Sequence, residues 1–320
     1  MHVERNRVVS AALAAAALLH AAPASAEPFA YVPNEKSGSV SIIDTATDKV
    51  VGEIEVGVKP RGIAVSADGR LVYVSDARRA ALHVVDPAAR AVVGDIDVGE
   101  SPEGVGLSPD GRWLAVAVEQ TNSVALVDAV KREVAANVKV GGKNPEHAVF
   151  SPDGRWIYAS AEEGNSVDVI DVAARKVTAS IPVGKRPRAI AFSKDGKRAY
   201  VACEVDATLH TVDAVAHKPL ASVKIGVAAS GVVLSADGKR VFVTDGKSAA
   251  VVVVDAEKNE VVATIPVGQR PWNMALTPDG KKLYVANGRS NSVSVIDTAT
   301  LKKLMDVPVG ELPWGVAIAR

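Results

Sequence analysis

Residues 271–310 read PWNMALTPDGKKLYVANGRSNSVSVIDTATLKKLMDVPVG. The stretch divides into four short strands, 271–277, 282–287, 291–297 and 302–309, separated by three turns. Pro278-Asp279-Gly280 closes the first pair as a hairpin, because glycine takes the positive φ that a tight turn asks for. Gly288-Arg289-Ser290 and Asp297-Thr298-Ala299 make the other two turns. Ser292-Val293-Ser294-Val295 alternates with the period of two that marks a half-buried strand. A single meander of this kind cannot bury both of its faces, so it needs neighbours.

The neighbours are copies. The Asp that ends the third strand recurs as Asp44, Asp86, Asp128, Asp171, Asp213, Asp255 and Asp297, spaced by 42 residues with a single step of 43. The Gly that closes the fourth strand recurs as Gly57, Gly99, Gly141, Gly184, Gly226, Gly268 and Gly310 with the same spacing. Asp-Gly turns recur six times, at Gly69, Gly111, Gly154, Gly196, Gly238 and Gly280. A four-stranded unit of this length, repeated seven times, predicts an all-β, seven-bladed β-propeller. The repeat Asp and the Asp-Gly pairs have a structural reading, capping turns through bonds to backbone N–H groups.

The ends say how the ring closes. After residue 27 the chain begins with a second-type strand at 29–34 and finishes with an unpartnered inner-type strand at 313–319. Placing 313–319 innermost in the blade formed by 28–57 joins both ends in one sheet and leaves no free edge between first and last blades. An aromatic column, Tyr31, Tyr73, Tyr158, Tyr200, Phe242 and Tyr284, belongs with Val and Ile in the blade cores. Ala115 breaks the column, and Trp113 stands close enough to fill the gap.

Residues 1–26 carry basic Arg5 and Arg7, an apolar run over 8–19, and Ala24-Ser25-Ala26 as a small-residue cleavage site. That order predicts a secretory signal peptide, with 27–320 as the propeller and the periplasm as its destination. There is no twin-Arg pair. Removing 26 residues leaves 294, seven times 42, carrying 35 basic and 36 acidic side chains. Near-neutrality offers no footprint for nucleic acid or an anionic membrane. No later apolar run is long enough to span a bilayer. Cys203 is the only cysteine, which excludes an intrachain disulfide and covalently attached c-type haem. A monomer is expected.

Y-V-A-N at 284–287, Y-V-S-D at 73–76 and S-V-S-V-I-D-T-A-T at 292–300 resemble the YVTN-repeat β-propellers, and the resemblance covers 28–319. Within that group A-Y-V-P-N-E-K at 30–36, K-P-R-G-I-A at 59–64 and V-G-E-L-P-W-G-V at 309–316 are similar to a narrower set. These are periplasmic propellers associated with pyrroloquinoline-quinone (PQQ)-dependent alcohol catabolism and its ABC transport system. Members carry a longer segment before one late inner strand, whereas 224–230 is short here and lacks the Pro. The resemblance implies an accessory binding role rather than catalysis.

Aligning the repeats gives the channel mouth. After the repeat Pro or its equivalent stand Arg61, Glu103, Glu146, Arg188, Ser230, Trp272 and Trp314, then Gly62, Gly104, His147, Ala189, Gly231, Asn273 and Gly315. Small residues suit a crowded axis, so His147 and Asn273 stand out as candidates. Trp272, Trp314 and Arg61 come from consecutive units, an arc able to stack a planar anion such as PQQ and pair its carboxylates, with Arg188 as a second charge across the opening. The plainer reading packs both Trp between blades. Glu103, Glu146 and His147 form the other arc, joined at the rim by Glu119, Glu162 and Glu204; acids with an imidazole suit a divalent metal, although acids that merely share a face look the same. His83, His210 and His217 read as packed or solvated, and Cys203 as a structural thiol whose pKa neighbouring Glu204 should raise.

No G-x-S-x-G, H-E-x-x-H or Gly-rich phosphate loop is present. The leading expectation is a non-enzymatic periplasmic propeller that binds a partner protein or small molecule and needs no cofactor or metal. The alternatives are a metal-dependent lactonase-like hydrolase and a haem-d1-type propeller with His147 as axial ligand.

Overall fold

The computed structural model describes residues 28–319, so the predicted signal peptide lies outside the described residues. Seven antiparallel sheets of four strands stand around one axis, and among the described residues there is no helix. Blade 1 holds Phe29–Asn34, Ser39–Asp44 and Lys49–Glu55; blades 2 to 7 open on inner strands Pro60–Val65, Pro102–Leu107, Pro145–Phe150, Pro187–Phe192, Ala229–Leu234 and Pro271–Leu276. Each strand feeds the next by a short turn because the turn chemistry repeats. The repeat Asp accept N–H groups two or three residues on, as Asp213 does from Val215 at 2.9 Å and Ala216 at 2.8 Å. Gly69, Gly111, Gly154, Gly196, Gly238 and Gly280 all take φ near 70°, the left-handed region that a side chain resists.

The last strand closes the ring as expected: Ala317–Ile318 is innermost in blade 1, paired with Tyr31 and Ala30. The pairing is shorter than 313–319, resuming only at a bridge from Pro313 to Asn34. The gap is a bulge shared by the other inner strands. In blade 7, Pro271 opposes Asn287 and Met274 opposes Val285, so Trp272 and Asn273 on one strand face the single Ala286 on its partner.

The cores lie between blades rather than within them. Ala30, Val32 and Ile43 of blade 1 pack with Tyr284, Val293 and Val295 of blade 7 in one buried cluster. The aromatic column is buried throughout, and Trp113 packs against the cluster that contains Ala115. Polar clamps reinforce these interfaces: Arg198 donates to the Ala256 carbonyl at 3.1 Å, Arg240 to Thr298 at 2.8 Å, and Lys282 to Thr45 at 2.9 Å. The last of these ties blade 7 to blade 1, so closure does not rest on the terminal strand alone.

Candidate functional site

The bulge builds the mouth. It places the two residues after each repeat Pro outside the ladder, where their side chains turn toward the axis. A hydroxyl from the second strand compensates the bulged backbone: Gly62 donates to Ser75 Oγ at 2.8 Å, His147 to Ser160 Oγ at 3.0 Å and Gly231 to Thr244 Oγ1 at 2.6 Å. Ser75 Oγ in turn donates to the Glu103 carbonyl at 2.6 Å and Thr244 Oγ1 to that of Trp272 at 2.7 Å, stitching one blade's bulge to the next. The axis is crowded, for a Cβ on Gly62 would stand 2.1 Å from the Glu103 carbonyl oxygen.

The charged mouth residues interlock. Arg188, itself buried, reaches Glu146 at 3.1 Å through Nη2, bonds Glu162 through Nη1, and has Nε 3.8 Å from Glu204. Arg270 meets the other oxygen of Glu204 at 3.1 Å, and Arg186 lies 3.4 Å from both Glu162 and Glu204. Arg61 bonds Glu103 through Nη1 and Glu35 through Nε at 3.1 Å. Among the described residues no cation pairs with both Glu103 and Glu146. Glu103 is fully buried, its Oε2 has no hydrogen-bond partner, and Glu146 and Glu119 are its like-charged neighbours. Burial and then Glu146 push the Glu103 carboxyl up to about 8, against the pull of Arg61.

Below the belt the axis is plugged. The Asn273 side-chain nitrogen lies 3.3 Å from His147 Nε2, and the His147 ring packs on Trp314 with centroids 5.5 Å apart. Burial lowers the His147 pKa to about 4, so its neutral Nε2 accepts the Asn273 amide hydrogen. Beneath the plug is a cavity of about 180 Å³ lined by apolar residues such as Ile63, Val105 and Met274. A larger cavity of about 420 Å³ opens on the rim between blades 4 and 5, lined by Glu162, Glu163, Lys185, Arg186, Asn144 and Asn165.

The six candidate residues all reach the mouth, in a different grouping from the one expected. Arg61 does not stand with the two Trp; Glu103 and Glu35 hold it on the carboxylate side. Arg188 is no second charge across the opening, since it lies over the Trp272 ring at 5.1 Å, with Arg270 over the same ring at 4.3 Å. Trp272 is thus clasped between guanidiniums, whereas buried Trp314 belongs with His147 and Asn273. Bulged side chains meet across a narrow axis, so ring neighbours in sequence need not be contacts. Among the described residues no three His, Cys, Asp or Glu converge on a metal position. Glu146, Glu162 and Glu204 are tied instead to Arg188.

Three partners in the belt escaped the sequence reading: Glu35, Arg186 and Arg270. Arg186 and Arg270 occupy the position before the repeat Pro, and aligning one more column would have shown them. His83, read as merely packed or solvated, is buried between Asp95 at 2.6 Å and Asp76 at 3.4 Å. Its signal lay in Asp76 and Asp95, which line up with His83 only once three strands are in register. His217 bonds the Tyr158 hydroxyl at 2.7 Å, and burial lowers the pKa of both His210 and His217. Cys203 is fully buried and its thiol is pushed up to about 12, chiefly by burial, with Asp206 rather than Glu204 adding to the rise.

The profile of the YNCE-like beta-propellers matches residues 5–319. The chain belongs to that family. Among curated proteins none matches it. Among solved structures, this YNCE-like propeller is similar to Kuenenia stuttgartiensis hydrazine synthase, at 26% identity and TM-score 0.77, over 84% of this chain and 92% of that one. The periplasmic gluconolactonase of Pseudomonas aeruginosa aligns at 23% identity and TM-score 0.77, over 92% and 99% of the two chains. A functionally unknown protein of Desulfotomaculum acetoxidans aligns at 19% and TM-score 0.81, over 91% and 99%. The last two likenesses show the fold alone.

Proposed function

We propose that this YNCE-like propeller is a non-enzymatic binding protein of the periplasm that engages a partner protein or small molecule at the mouth. The observation that carries the reading is the belt: Arg188 and Arg270 are fixed by carboxylates from blades 4 and 5, beside a rim cavity of about 420 Å³. That volume falls in the range of about 300–1,000 Å³ usual for small-molecule sites. The cavity offers both charge signs and two amides, so it suits a polar ligand carrying ammonium and carboxylate groups, or a partner's loop. Mass spectrometry of what co-purifies from a periplasmic extract tests it. The proposal predicts a retained species that salt releases, and an empty preparation counts against it.

The narrower, PQQ-linked role suggested by the sequence resemblance is part of this proposal. A planar quinone would have to displace Arg188 or Arg270 from the Trp272 ring in order to stack there, and calorimetry with PQQ decides, because absence of heat removes that role.

A second reading, a lactonase-like hydrolase, draws on Glu103, whose carboxyl burial pushes up to about 8 beside the Arg61 guanidinium. Such a pair can serve as a proton donor where the mouth opens enough for a substrate to reach the buried carboxyl. Lactone hydrolysis lost in Glu103→Gln would support it, and wild-type rates at background would exclude it.

A further inference from the structure

We propose that the interface between blades 3 and 4, on the face opposite the mouth, is a binding slot for a small aromatic carboxylate. The repeats define what this slot lacks. At three other interfaces a ring from the second strand reaches the third-to-fourth turn of the next blade. The Tyr158 hydroxyl meets His217 Nδ1 at 2.7 Å while its ring packs on Phe192 at 4.7 Å. The Tyr284 hydroxyl donates to Asp48. Phe242, which has no hydroxyl, shares its cluster with apolar Leu301. Asp48, His217 and Leu301 hold the same repeat position, so ring and turn residue are matched in polarity at these three interfaces.

Blade 3 breaks the series at its ring position, which is Ala115; the facing turn position is Arg175, an arginine as at Arg90 and Arg132, which face the blades that carry Tyr31 and Tyr73. A cavity of about 290 Å³ opens beside them, with Leu126, the cross-strand partner of Ala115, in its floor. Trp113, Val172 and Ala173 form its apolar sides, and Arg155 and Arg175 stand at its rim. Trp113 packs against the cluster that contains Ala115, with Arg112 over its ring at 4.9 Å. Arg175 donates Nη1 to the Ala135 carbonyl at 3.0 Å, which fixes the guanidinium at the slot's edge. A volume of about 290 Å³ suits one ring with a short substituent. Indole and aliphatic walls favour an aromatic ring, and two guanidiniums favour a carboxylate attached to it. The residue types missing from the repeat, a ring and a polar group for the turn, are the ones the ligand would supply.

Calorimetry with 4-hydroxybenzoate on wild type, Ala115→Tyr and Arg175→Met tests the slot. One molecule should bind per wild-type chain. Ala115→Tyr, which restores the missing ring, should abolish binding and raise the melting temperature. Arg175→Met should weaken binding tenfold or more. If Ala115→Tyr does not fold, the Arg175→Met comparison decides alone. No heat with wild type, or equal affinity in wild type and Arg175→Met, overturns the proposal, as does undiminished binding by a folded Ala115→Tyr protein.

Discussion

Replacing Glu103 by Gln probes the balance of charge at the mouth. The carboxyl is buried, one oxygen bonds Arg61, and the other has no hydrogen-bond partner. Burial with Glu146 and Glu119 nearby raises its pKa from 4.5 to about 8. A raised folded-state pKa means that stability is fully present below the unfolded value and is lost as pH rises through the folded one. The gap converts to a loss on the order of 5 kcal/mol between about pH 4.5 and 9. Gln keeps the shape and an acceptor but has no charge to desolvate, and Arg61 keeps Glu35. Allowing about half of the gain to be offset by the weaker Arg61 contact, the variant should melt roughly 3–5 °C above wild type at pH 9. At pH 5 the difference should vanish or reverse. The assay is a calorimetric melt of both proteins in matched buffers, comparing them within each pH so that other titrations cancel. A difference that does not change with pH, or a variant that weakens as pH rises, would refute the reasoning and show that Arg61 keeps Glu103 ionised.

Deleting 313–320 removes buried Trp314 and Val316 and exposes the inner edge of blade 1, so the melting temperature should fall sharply and the protein should aggregate. An unchanged melt would mean that the blade 7 to blade 1 contacts of Lys282 and Tyr284 with Asp48 close the ring unaided. Cys203, buried with its thiol at about 12, should react with a thiol reagent at pH 8 only on unfolding; rapid labelling of the folded protein contradicts its placement.

The fold was legible because seven copies of one Asp and one Gly, with six of an Asp-Gly turn, set strand count and sheet order before any contact is known. Even the closing strand followed from mismatched ends, although its pairing was overestimated because the bulge leaves no mark in the alternation of residues. The site was legible as positions and not as partners. The alignment put Arg61, Arg188, Trp272, Trp314, His147 and Asn273 at the mouth, but a repeat says nothing of where a long side chain goes once its backbone leaves the ladder. His147 and Asn273 meet across the axis although they are 126 residues apart and not in adjacent blades. Arg61 turned to carboxylates because buried charge needs a partner, and Glu35 offered one from a connection that had not been aligned.

The central claim is that the mouth belt binds a partner, and Arg188 is its hub. The most direct test is to immobilise residues 27–320 of wild type and of Arg188→Met, confirm by circular dichroism that both are folded, and compare by mass spectrometry what each retains from the same periplasmic extract. The belt predicts a species held by wild type, released by salt and lost from the variant. Nothing held by wild type, or the same species held equally by both, would contradict it.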